Sequence, residues 1–151
     1  MAGTAIFIPE GFSYVAASLI SVPLVLQWQA IYVSMARKAA KVEYPRAYAE
    51  KAEQEASPAA KVFNCRQRAH ANTLENVPGV LVLTLLSGLR YPVFAGGALG
   101  FWSLTRIIYT LGYGTGEPKK RIIGSELGAV TLFALLCGAG KVAYDLYTVG
   151  L

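Results

Sequence analysis

Charge is what this sequence has least of. Only 15% of its 151 residues are Asp, Glu, Lys or Arg, 54% are hydrophobic, and the mean hydropathy is +0.42. A soluble domain of this size carries about 25% charged residues, so that class is excluded in favour of a compact, single-domain polytopic membrane protein. Cysteine is scarce as well. Cys65 and Cys137 make no disulfide framework, and Cys65, near a cytosolic helix end, is expected as a reduced thiol. With one histidine, His70, and two separated cysteines, no metal-ligand spacing exists and no metal is expected. There is no GxSxG, P-loop or GxGxxG motif, no internal repeat and no low-complexity segment. The first dozen residues carry no Lys or Arg. A cleaved signal peptide would need a basic start, so the first helix reads as a retained anchor.

What is present is a set of long apolar runs, each near the roughly 20 residues that cross a bilayer. They predict an all-α integral membrane protein, an up-down four-helix transmembrane bundle with spans near 11–36, 60–89, 93–113 and 122–147. Pro23 is a candidate kink in the first. The loop KVEYPRAYAEKAEQEASPAA is punctuated by Pro45 and Pro58, and AYAEKAEQEA within it predicts a short surface helix. A turn at Gly88–Pro92 makes spans two and three a tight hairpin. Gly96 with Gly100, and Gly124 with Gly128, are small-xxx-small pairs suited to close helix packing. All Lys and Arg except Arg90, Arg106 and Lys141 lie in or beside two loops. The positive-inside rule places those loops in the cytosol and both termini opposite. Glu43, Glu50, Glu53 and Glu55 share one loop with its cations, which disfavours nucleic acid.

The polar residues gather in VFNCRQRAHANTLENVP, 62–78, the first half of the second span. At about 100° per residue, Arg68, Asn72 and Glu75 fall within roughly 60° of one another, while His70 points about 200° from Arg68. Each ionisable group in a bilayer costs roughly 2.5–3.5 kcal/mol on insertion scales. Arg68 and Glu75 stand about 10 Å apart along a rigid axis, too far for a short direct pair, so a polar ligand, water or another helix is expected between them. The plainer alternative is snorkelling, or polar glue between helices. The cations of Arg37, Lys38 and Lys41 likewise suit a helix C-terminus and anionic headgroups.

Trp102, Arg106, Tyr109 and Tyr113 share one face of the third span. The plain reading of the tyrosines is an interfacial belt, which suits Tyr113 better than the deeper Tyr109. Arg106 reads as a structural intramembrane residue needing a buried partner, with Glu75 the candidate. GTGEPKKR ends that span, and Lys119, Lys120 and Arg121 cluster where the fourth begins. Cations there oppose the helix dipole, which points to an anion or to topology. Lys141 and Asp145 are spaced to pair. Arg37, the Arg68–Glu75 face, Tyr109, Tyr113 and Arg121 all lie toward the cytosolic end and predict a polar pocket for a small zwitterion or anion. The opposed faces of Arg68 and His70 predict a symmetric oligomer with sites between subunits.

KVEYP (41–45), FNCRQRAHANTLE (63–75) and RIIYTLGYGTGEPKKR (106–121) resemble the MAPEG family, in particular its microsomal glutathione S-transferase 3 branch. The resemblance implies a homotrimer of four-helix protomers with glutathione as co-substrate at sites between neighbours. It implies glutathione-binding roles for Arg68, Asn72, Glu75, Tyr109 and Tyr113. Arg37 and His70 would reach the glutathione held mainly by the adjacent subunit. Arg121 would be the catalytic, thiol-activating arginine. The loop before it is one residue longer than in leukotriene C synthase, which makes Lys120 an auxiliary stand-in. Relatives place a tyrosine where Asn76 or Val77 stands here, so a contact is lost or replaced there.

These residue types suit that chemistry. Arginines grip carboxylates bidentately and a glutamate accepts from an ammonium. A guanidinium beside sulfur favours the thiolate over a thiol whose pKa is ordinarily about 8.5. The implied activity is a glutathione transferase or glutathione-dependent lipid peroxidase acting on hydrophobic electrophiles or lipid hydroperoxides from the bilayer. The expected location is the endoplasmic reticulum membrane, with the outer mitochondrial membrane left open. A non-catalytic lipid-presenting scaffold and a structural subunit of a membrane complex are the competing readings.

Overall fold

A computed structural model describes residues 8–149. The elements are α1 (Phe12–Ala40), α2 (Lys51–Ala56), α3 (Pro58–Gly88), α4 (Pro92–Tyr113), a 3-10 turn (Pro118–Arg121) and α5 (Ile122–Thr148). Local chemistry sets their ends. Lys41 closes α1 in the left-handed region at φ 54°, its N–H turned back to the Arg37 and Lys38 carbonyls. Glu50 and Glu53 form a reciprocal capping box on α2. Ser57 caps α3 ahead of Pro58, and Pro92 opens α4. The expected surface helix is therefore present, confined to 51–56. Helices α1 and α3 continue through Pro23 and Pro78.

The four long helices alternate in direction. Gly88, ending α3, packs on Val15 and Phe12 at the start of α1. The start of α4 meets the same end, where a Cβ on Gly96 would lie 2.6 Å from the Tyr14 carbonyl carbon. At the opposite end Gly124 of α5 sits against the Tyr109 backbone of α4. Helices α3 and α4 form the middle of the bundle, each touching both α1 and α5. Gly96, Gly124 and Gly128 thus mark close approaches, while Gly100 faces open space and makes none.

Two kinds of packing hold the helices. Toward the far end the core is apolar, built on Val22, Val80, Leu99, Trp102 and Leu135. Toward the basic end, Gln29 is fully buried. Its Nε2 donates to Thr73 Oγ1 at 2.9 Å and Thr110 Oγ1 at 2.6 Å, and its Oε1 lies 3.3 Å from His70 Nδ1. One amide so ties α1, α3 and α4 together. Outside, Ile20, Leu24, Ile31 and Met35 on α1, and Val130, Phe133 and Leu136 on α5, remain exposed. Such extensive apolar surface belongs against lipid or another protein. Among the described residues, α1 and the stretch Pro118–Thr148, the 3-10 turn with α5, are the two long and apolar enough to cross a membrane by length and composition. Helix α3, with 31 residues, and the shorter α4, with 22, carry the polar residues discussed next.

Candidate functional site

The loop 41–57 folds over the basic end and is latched to α3. Asn64 Nδ2 donates to the Ala49 carbonyl at 2.9 Å and to Gln54 Oε1 at 2.8 Å, while its Oδ1 accepts from the Ala49 N–H at 2.8 Å. Arg46 grips both Glu53 oxygens, at 3.0 and 2.9 Å. The Glu50 N–H and then Arg46 hold the Glu53 carboxyl below its ordinary pKa.

That loop also takes up Arg37. The side chain is 8% exposed, its Nη1 donates to the Arg46 carbonyl at 2.7 Å, and its guanidinium lies between the Tyr44 and Phe63 rings. It is a packed, partly satisfied cation, not a free one at a helix end. It borders a cleft of about 530 Å³ with Ser34, Lys38 and Tyr44.

Arg68 and Glu75 are directly paired, at 2.7 Å (Nη1–Oε1) and 3.3 Å (Nη2–Oε2). The rigid-axis expectation of a gap between them is overturned, because both side chains lean along the helix toward each other and close it. Their side chains remain 47% and 53% exposed on the outward face of α3. Arg68 also borders a cleft of about 260 Å³ shared with Tyr48, Lys61, Cys65, Tyr113 and Pro118.

Arg106 does not pair with Glu75, whose carboxylate is taken by Arg68. Instead its Nη2 donates to the Gly124 carbonyl at 3.0 Å and its Nη1 reaches Asn72 Oδ1 at 3.4 Å. The guanidinium lies over Trp102 and Tyr109 at 5.4 and 4.9 Å. A third cleft, of about 180 Å³, runs between α3 and α5 past Asn72, Asn76, Trp102, Arg106, Ser125 and Ala129.

Tyr109 and Tyr113 are both buried and meet edge to face at 5.8 Å, packed with Cys65 and Ala69. Tyr113 is therefore an interior residue rather than an interfacial belt. Arg121 is exposed at the end of the 3-10 turn, with its guanidinium 5.0 Å from the Tyr113 ring centre. Lys120 instead donates to Glu117 at 3.0 Å. Its backbone carbonyl lies where a Cβ on Gly112 would go, so that glycine lets the turn seat on α4.

Within one chain the expected single pocket is three separate clefts. One holds Arg37, one Arg68 and Tyr113, and one Asn72, Asn76 and Arg106. His70 lies half-buried against Gln29, across α3 from Arg68. Gln29 itself was not anticipated as a functional or organising residue. Its signal was a pair of amides, Gln27 and Gln29, inside an uncharged run, LVLQWQA. Arg66, likewise unremarked, lies 3.6 Å over Tyr32 and bonds the Gly114 carbonyl, tying α3 to α1 and to the end of α4. The MAPEG family model matches residues 15–141, a range that contains all three clefts and both halves of the bundle. An all-α multi-span bundle with this polar end, matched over that length, belongs to the MAPEG family, whose members include glutathione-dependent membrane enzymes.

Proposed function

We propose that this protein is a membrane glutathione transferase with glutathione-dependent lipid peroxidase chemistry, similar to the microsomal glutathione S-transferase 3 branch and working as a homotrimer. The observation that carries this is the Arg68–Glu75 pair. It stands half-exposed on the outside of an apolar bundle, where a bilayer would penalise it. A second copy against that face, with a zwitterionic guest between, removes the penalty. The cleft beside Arg68, about 260 Å³, falls short of the roughly 300–1,000 Å³ of complete ligand sites. That fits a site finished by a neighbour. Arg37 and His70, which lie away from Arg68 in their own chain, would then face the neighbour's guest.

In this reading Arg68 exchanges Glu75 for a glutathione carboxylate, and Glu75 accepts from the ammonium. Asn72, Tyr109 and Tyr113 complete the cradle. Arg121 lies beside Tyr113 and free of any acidic partner among the described residues, whereas Lys120 is engaged by Glu117. This favours Arg121 as the group beside the sulfur. A guanidinium there stabilises thiolate by about 1.4 kcal/mol for each unit its pKa falls. In conjugation the thiolate forms a C–S bond as the electrophile's leaving group departs with its electron pair. In peroxide reduction sulfur attacks the outer oxygen, the O–O bond breaks and the lipid alkoxide takes a proton. A second glutathione then condenses with the sulfenic acid, giving disulfide and water.

The self-satisfied Arg68–Glu75 pair favours one other reading, a non-catalytic lipid-presenting scaffold, which needs no guest to neutralise it. Titration calorimetry with glutathione on the detergent-solubilised protein decides between them. Saturable heat that weakens at least tenfold in Arg68→Ala is expected. A folded protein giving no heat would remove the transferase reading and leave the scaffold.

A further inference from the structure

We propose that the cleft between α3 and α5 holds the carboxylate of a single-chain lipid acid drawn from the bilayer, with Arg106 as its counter-ion. Arg106 is only 4% exposed, yet none of the nine acidic side chains, all among the described residues, forms an ion pair with it. Glu75, one turn from Asn72, is held by Arg68, and Glu126 on α5 is exposed. Of the five donors of a guanidinium, one makes a good bond, to the Gly124 carbonyl, and one a long bond, to Asn72. Nε is buried with no partner at all. A buried guanidinium left this way is a strong anion receptor, because its planar fork matches a carboxylate and little water competes.

The cleft's size and walls select the ligand. About 180 Å³ is below the range of complete ligand sites and admits a head group rather than a tripeptide. Trp102, Ala129 and Leu132 give it apolar walls, and exposed Ser125 and Ala129 mark where it opens. At Gly128 a Cβ would strike Arg106 Nη2, so the glycine keeps the guanidinium's place free. Arg106 stands seven residues before the end of α4 at Tyr113, about 10 Å down the helix. A phosphodiester tied to glycerol and two chains sits at the bilayer surface. A single-chain acid can slide to that depth with its tail along the α3–α5 groove.

Carboxyl-13C-labelled oleate, added to the full-length protein in uncharged maltoside micelles, tests this. A protein-bound carboxyl resonance is expected, with a titration midpoint at least one pH unit below that of micellar oleate, since a nearby cation favours the ionised form. Methyl oleate and butyrate should compete at least tenfold more weakly than unlabelled oleate. Ala129→Leu should abolish the bound resonance by filling the mouth from an exposed position, with Arg106 intact. Arg106→Gln should abolish it as well. Retention of the resonance in Ala129→Leu, equal competition by methyl oleate or butyrate, or no bound resonance in the folded parent protein would each overturn the proposal. A part for this site in turnover rests on the transferase reading, but occupancy does not. An oleate resonance without glutathione heat leaves the site standing and removes the transferase. Glutathione heat without an oleate resonance does the reverse.

Discussion

The two halves of this bundle are held by different forces. Toward the far end, Val22, Val80, Leu99, Trp102 and Leu135 fill a dry core and need only shape to agree. Toward the basic end, Gln29, Thr73, Thr110 and His70 bond across three helices, and Arg37, Arg66 and Arg106 are stacked on aromatic rings. Apolar packing is tolerant of small displacements. A hydrogen bond weakens steeply once its geometry departs from the ideal. The far half is thus suited to being a fixed clamp, and the basic half to fixing where a few polar groups stand. A site that must present charges at set positions belongs in the second half, and every proposed glutathione-binding residue lies there.

The largest effect expected from breaking this contrast is in the clamp. Leu99→Ala leaves a cavity in a fully buried position and should cost about 2–5 kcal/mol, read as a lowered unfolding midpoint in detergent, with glutathione affinity of the folded fraction unchanged. Next comes Arg121→Ala. This exposed residue holds no ion pair among the described residues and its guanidinium only flanks the Tyr113 ring, so stability should change little while turnover falls about 10²-fold and glutathione affinity changes by less than threefold. Equal turnover in wild type and variant would remove Arg121 from the mechanism. Gln29→Leu should be milder, about 0.6–1.7 kcal/mol, because Thr73 and Thr110 keep their bonds to the Ala69 and Arg106 carbonyls. Its signature should be loosened registry of the basic half, seen as faster amide exchange in α1 and α4 there but not around Leu99.

The smallest effect concerns the loop. The Glu53 carboxyl is held below its ordinary value by the Glu50 N–H and Arg46. Its contribution to the loop is therefore complete above the unfolded carboxylate pKa and lost as pH falls through the lower folded value. Amide exchange in 46–56 should quicken on acidification below about pH 4, where unperturbed carboxylates begin to protonate, and Glu53→Gln should show the quickened rate already at neutral pH. A pH-independent loop in the wild type would mean that Asn64 alone latches it.

Much of this organisation was legible in the chain. The hydropathy runs gave the long helices to within a few residues, whereas Pro58 and Pro92, read as loop and turn, prove to open two of them, the first capped by Ser57. The shared face of Trp102, Arg106, Tyr109 and Tyr113 is indeed one buried face. The pairings were not legible. Arg68 and Glu75 look separated on a rigid axis and meet because side chains have reach and freedom that a helical wheel omits. Arg106 turned toward α5, where the close approach at Gly124 and Gly128 brings the Gly124 carbonyl within reach as a second acceptor site, rather than toward a carboxylate already taken. Gln29 finds partners 41 to 81 positions away in the chain, a distance over which no local pattern carries information.

By itself, then, the sequence settled the helices, their order and which residues share a face, because backbone geometry imposes a period on any chain that must satisfy its own peptide groups in an oily setting. The tertiary structure alone decided which polar group each of those faces meets. That choice depends on how closely glycine lets two helices approach and on which acceptors remain unclaimed once they have done so.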